Sequence, residues 1–133
     1  MGQPAATETH SVVAVDTHIV LVPSPGGPVP TPLPHPFSGR LDGALVPSVK
    51  IAGKPAAVVG STATNSPSHL PTPPGTSFQK PPADKGTVQM GSTTVKLGGK
   101  GAARMGDTVQ TCNDPADAPV GTIVQGAPTV MLG

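Results

Sequence analysis

Residues 49–62 read VKIAGKPAAVVGST, and residues 95–108 read VKLGGKGAARMGDT. The two align without a gap at Val49/Val95, Lys50/Lys96, Gly53/Gly99, Lys54/Lys100, Ala56/Ala102, Ala57/Ala103, Gly60/Gly106 and Thr62/Thr108. A sentence written twice means a structural unit built twice. The unit reads as a short strand, a Gly-Lys turn, a stretch of small residues and a second turn. A tight two-residue turn needs positive φ at its centre, which glycine adopts cheaply. Paired alanines leave room where backbones cross closely.

Around the repeat the composition is unusual. The 133 residues include 17 glycines and 19 prolines, with two aromatic residues, Phe37 and Phe78, and no Trp or Tyr. Gly and Pro at more than a quarter of the chain fall in the range of low-complexity segments. Two features oppose disorder. Only 11% of residues are charged, with a net charge of +1, so nothing holds the chain open by self-repulsion. The large apolar residues are mostly valine, a strand former. No window of 12 residues both escapes Gly and Pro, which cost about 1 and 3 kcal/mol inside a helix, and reads with an apolar spacing of 3.6. The expected fold is all-β: short strands, hairpins and Pro-rich loops, with almost no helix.

Residues 1–12 read as a loose N-terminus and 13–133 as a single domain. SVVAVDTHIVLV (11–22) reads as one or two strands. The Pro-rich segment 23–39 reads as a stiff extended loop, because proline cannot donate into a ladder. Strands are expected at 45–51 and 56–59, a long loop at 61–86, a hairpin at 87–97, and closing strands in TIVQ and PTVML.

So small a core calls for a staple. The single cysteine, Cys112, excludes an internal disulfide, leaving a metal or a partner. His18, His35 and His69 lie in stiff segments and Cys112 follows the second repeat. Three imidazoles and a thiolate would make a closed tetrahedral zinc site. The long sequence gaps between them are not those of a zinc finger. The bland reading is three polar loop tips and a small buried thiol. His10 stands as a substitute ligand, and its replacement is expected to change neither metal content nor stability.

Other chemistry is poorly supplied. The chain has no nucleophile motif, and GGKGA at 98–102 lacks the spacing of a phosphate loop. It has no basic patch for nucleic acid and no apolar run long enough for a membrane span. Its first residues do not read as a signal peptide. A filled four-ligand site is structural, not catalytic, so no enzyme is expected.

Ala102-Ala103-Arg104 followed by Gly106-Asp107, with Pro55-Ala56-Ala57 and Gly60 as a degenerate copy, resembles the proline-alanine-alanine-arginine (PAAR) repeat proteins. The closing GAPTVMLG (126–133) resembles their ending. Val58, Ser61 and Gly101 depart from the pattern. The resemblance implies a small cone of strands and loops stapled near its apex by one structural zinc ion, on His18, His35, His69 and Cys112. It implies a spike tip of a contractile injection system, of the type VI or phage-tail-like extracellular kind. Such a tip caps a trimeric β-helical spike of the VgrG or phage kind as a monomer and pierces the target envelope mechanically. Effector proteins are further implied partners, and the tip is made in the cytoplasm and delivered extracellularly with the particle. The competing readings are a Pro/Gly-rich structural linker and a small zinc hydrolase.

Overall fold

The structure, a computed structural model, describes residues 2–133. Among them there is no helix. The strands in chain order are β1 (Gln3–Ala5), β2 (Ser11–Val22), β3 (Val29–Gly43), β4 (Val46–Ile51), β5 (Lys54–Ala56), β6 (Thr62–Asn65), β7 (Ser77–Phe78), β8 (Lys85–Val88), β9 (Lys96–Leu97), β10 (Lys100–Gly101), β11 (Thr108–Thr111), β12 (Ala118–Ile123) and β13 (Ala127–Leu132).

The repeat occurs three times, not twice. Gln3-Pro4-Ala5-Ala6-Thr7-Glu8-Thr9 adopts the conformation of Lys54–Gly60 and of Lys100–Gly106. Each copy is the return strand of a two-stranded arm: β13–β1, β4–β5 and β9–β10. In each arm the same rung is present, Leu132↔Gln3, Ile51↔Lys54 and Leu97↔Lys100. Residues 2–12 are therefore not loose. Ala5 and Ala6 are at most 1% exposed, held by the strand that closes the other end of the chain.

Past the arms the three alanine pairs meet in a ring. Ala6 N–H donates to Ala103 O (2.9 Å), Ala103 N–H to Ala57 O (2.9 Å) and Ala57 N–H to Ala6 O (3.0 Å). The bridges Ala5↔Arg104, Thr7↔Ala56 and Val58↔Ala102 close around it in the same sense. Three backbones approach this closely only because the side chains there are methyl groups; a larger one would overpack by about 1–3 kcal/mol. Each copy then turns through a residue with positive φ: Thr9 (73°), Gly60 (97°) and Gly106 (94°).

From the ring each copy runs into an antiparallel pair: β2–β3, β6–β8 and β11–β12. These pairs join edge to edge, β12 returning to β2, so six strands close on themselves and β7 lies alongside β2. Closure removes free sheet edges over that span. The core is threefold as well. Across the joined edges Val12 pairs with Ile123, Ala63 with Leu41 and Val109 with Val88, and all six pack in one buried cluster with Ala6, Ala57, Ala103 and Phe37.

β3 corrects the expectation of a Pro-rich loop at 23–39. Strand register with β2 is unbroken from Val22↔Val29 to Ser11↔Arg40. Prolines at 30, 32, 34 and 36 recur with the period of a strand. A residue's N–H alternates between the two edges, so every missing donor falls on the edge away from β2. Two further expectations differ. Residues 87–97 form no hairpin, because β8 pairs with β6 and β11 while β9 pairs with β10. The segment 61–86 contains β6 and β7 rather than loop alone.

Candidate metal centre

Inward positions on β2 fall at even numbers, so Val12 in the core is followed along one face by Asp16 and His18, both at most 1% exposed. β3 presents His35 and Phe37 to the same side, with His35 directly across from Asp16. Cys112 lies just past β11. The next two residues fasten to β2: Thr17 N–H donates to Asn113 Oδ1 (2.6 Å), Ile19 N–H to Asp114 Oδ2 (2.9 Å) and Asp114 N–H to Thr17 O (2.8 Å). His69 is held by its backbone, whose N–H donates to Asp84 Oδ1 (2.9 Å). Asp84 also accepts from Asn65 Nδ2 (3.1 Å).

The three histidine rings pack together, with centroids 4.9 Å (His18–His69), 5.3 Å (His18–His35) and 5.7 Å (His35–His69) apart. Phe78 closes over His18 and His35, and Phe37 lies beneath His69. All four sequence candidates, His18, His35, His69 and Cys112, are buried here. Their donor atoms are not equally placed. One potential ligand atom each from Asp16, His18, His69 and Cys112 lies within 4.8 Å of every other. His35 is outside that set, its Nδ1 2.8 Å from Leu33 O and its Nε2 3.1 Å from Thr72 N. His10 is elsewhere, its Nδ1 accepting from Thr7 N–H (2.9 Å).

The donor set fits a divalent ion. Cys112 Sγ is 3.6 Å from both His18 Nε2 and Asp16 Oδ2, and His69 Nε2 is 3.0 Å from Asp16 Oδ2. A tetrahedral zinc with bonds of about 2.3 Å to sulfur and about 2.0–2.1 Å to nitrogen has S···N edges of about 3.5 Å. Without an ion the electrostatics are unfavourable. Burial, with the Asp16 charge adding, pushes the Cys112 thiol up to about 11. Burial also lowers His18 and His35. His18 Nδ1 is buried with no hydrogen-bond partner, 3.5 Å from Asp114 Oδ2. Burial works to raise Asp114, but the Ile19 N–H, His18 and Lys80 outweigh it and hold its carboxyl below the usual range. A cation among a thiolate, a carboxylate and neutral imidazoles reverses the penalty on Cys112.

Sequence reasoning missed Asp16. The signal was Asp-Thr-His within a β-branched run, which puts Asp16 and His18 on one strand face.

The repeat residues Gly53, Lys54, Ala56, Ala57, Gly60, Gly99, Lys100, Ala102, Ala103, Arg104, Gly106 and Asp107 build the arms and ring, away from the cluster. Arg104 and Asp107 are joined through two side-chain bonds (Nη2–Oδ1 2.8 Å, Nε–Oδ2 3.0 Å), and Asp107 Oδ2 accepts Arg104 N–H (2.7 Å). Arg104 Nη1 also donates to Gly133 O (3.0 Å), tying the third copy to the arm made by the chain ends.

No helix among the described residues is long and apolar enough to cross a membrane. Comparison with curated proteins and with solved structures gives no match. Residues 78–133 match the family model described as PAAR motif. The match spans β7 to β13 and takes in the Ala102-Ala103-Arg104 copy, Cys112 and the closing strand. Its family is structural, and the all-β fold with a buried metal-capable cluster is consistent with it. Residues 78–133 thus match a PAAR motif, and the motif supports a spike-tip role in contractile injection systems.

Proposed function

We propose that the protein caps the end of a trimeric β-helical spike as a single chain and forms the rigid point of an injection particle. The observation that carries this is the closed ring of Ala6, Ala57 and Ala103, with its three arms. A monomer that meets a trimer on its axis faces three identical surfaces. A backbone with three equivalent arms answers each in the same way, without forming a homo-oligomer. The trimer's unpaired strand ends are covered in doing so. Rigidity comes from closed strands, proline-stiffened segments and the metal centre, not from a large core. The same design supports a mechanical role rather than catalysis, on particles that act outside the cell.

We propose further that the buried cluster holds one structural zinc ion. His18, His69 and Cys112 are three of its donors, and the fourth comes from the β2–β3 pair, where Asp16 and His35 sit side by side. Zinc suits a mixed imidazole and thiolate set.

Native mass spectrometry with a trimeric β-helical spike protein is the test. One chain per three spike subunits, carrying one zinc, is expected. Three chains per trimer, or no complex with folded protein, would overturn the capping role.

A further inference from the structure

We infer that the face formed by the three arms is cationic and docks onto acidic side chains, aspartate or glutamate, presented by the subunits of the trimeric spike. The inference rests on the proposed capping role and names the chemistry of the surface that the arms meet.

Charge is sorted along the molecule. The arm strands of β13–β1, β4–β5 and β9–β10 hold four lysines and no acidic side chain, whereas the rest of the chain holds four cationic and seven acidic ones. A surface that serves solubility alone intersperses the two signs. The lysines also occupy matching places. Lys50 and Lys96 precede the rung residues Ile51 and Leu97, and Lys54 and Lys100 lie across from those rungs. All four are exposed. Among the described residues none of them is ion-paired, and the lysine and arginine that are, Lys80 and Arg104, sit outside the arms.

Two of the ammonium groups are positioned across the seams between copies. Lys54 Nζ donates to Thr9 Oγ1 (3.0 Å). Lys100 Nζ lies beside Gly60, 3.5 Å from where a β-carbon would stand, and Thr9 and Gly60 hold the same place in their copies. Lys96 and Lys100 line a groove of about 530 Å³ with Val59, Gly60 and Thr93, open to a carboxylate side chain from a partner. The arm β13–β1 has Met131 and Gln3 at the matching places. Two of three identical spike subunits therefore meet cations, and one meets a neutral arm.

Binding of the full chain to the trimeric β-helical spike protein of its own particle is followed by biolayer interferometry. Between about 50 and about 500 mM NaCl the screening length shortens about threefold. The association rate is expected to fall at least about tenfold over that range, the lower end of what steering by opposite charge supplies. Lys50→Gln/Lys96→Gln should associate more slowly at low salt and lose much of the salt dependence, with dissociation less affected. Lys50→Arg/Lys96→Arg should behave as the wild type. Lys80→Gln/Lys85→Gln removes the same charge outside the arms and should leave both rates nearly unchanged. A complex whose rates ignore salt, or arm and control variants that slow equally, overturns the inference and leaves capping intact. Displacement of the spike by phosphatidylserine vesicles assigns the face to anionic lipid and overturns it as well. Failure of the folded wild type to bind the spike at either salt concentration overturns the capping role itself, and the inference with it.

Discussion

At the residue scale the three copies solve one problem with three side chains. The backbone N–H that opens each turn needs an acceptor. Thr7 N–H finds His10 Nδ1 (2.9 Å), Val58 N–H finds Ser61 Oγ (2.9 Å) and Arg104 N–H finds Asp107 Oδ2 (2.7 Å). His10 is thus the structural equal of Ser61 and Asp107, not a spare ligand and not a silent position. It accepts through Nδ1, so it must be neutral. Burial, followed by the nearby Lys54 charge, lowers its pKa. A histidine lowered in the folded state contributes its full stability above its unfolded value of about 6.5 and loses it as pH falls through the folded one. His10→Leu should cost about 1 kcal/mol near pH 8 by orphaning Thr7 N–H, with zinc content unchanged. His10→Ser should match the wild type at pH 8 and melt above it at pH 5. Thermal unfolding at both values checks the pair; a wild type that stays ahead at pH 5 would refute the role given to His10.

At the element scale the strand β3 explains what was legible and what was not. The arms could be read from VKIAGK and VKLGGK, because a two-residue turn with positive φ leaves a glycine signature: Ala52 and Gly53 at 54° and 82°, Gly98 and Gly99 at 60° and 83°. β3 could not, because proline density alone argues for a loop. Its alternation was the overlooked signal, and it doubles as edge protection. β6 covers β3 only over Gly39–Gly43. Beyond that the prolines leave no row of donors for another chain to pair with. Restoring one donor with Pro32→Val should keep the fold and the melting temperature nearly unchanged but promote association, seen as concentration-dependent light scattering. A variant as monodisperse as the wild type would show that the prolines serve stiffness alone. The metal cluster divided in the same way. His18, His35, His69 and Cys112 were legible as residue types that need a partner, whereas Asp16 beside them was hidden because an acidic residue in a sequence defaults to a solvated surface.

At the scale of the whole molecule the chain is a three-unit ring cut once. The cut falls in the arm β13–β1, and that is why the copy at residues 3–9 could not be read. Its strand, Val130-Met131-Leu132, stands at one end of the sequence and its alanines, Ala5 and Ala6, at the other. The rung Leu132↔Gln3 has the position of Leu97↔Lys100. Joining Gly133 to Gly2 therefore writes Leu-Gly-Gly-Gln where the third copy has Leu-Gly-Gly-Lys. The ring has no intrinsic starting point if the three arms are equivalent in energy as well as in backbone. A circular permutant joined in this way, without Met1 and opened between Ala52 and Gly53, exchanges one two-residue turn for another and disturbs no core contact. It should fold, bind zinc and melt within about 5 °C of the wild type, the shift that about 1 kcal/mol produces in a domain of this size. It should also cap the spike of the proposed function, in which the trimer meets the three arms. A permutant that folds but no longer caps would show that the spike distinguishes the arm made by the chain ends from the other two. The threefold backbone would then be a record of how the fold is built rather than the surface the trimer reads.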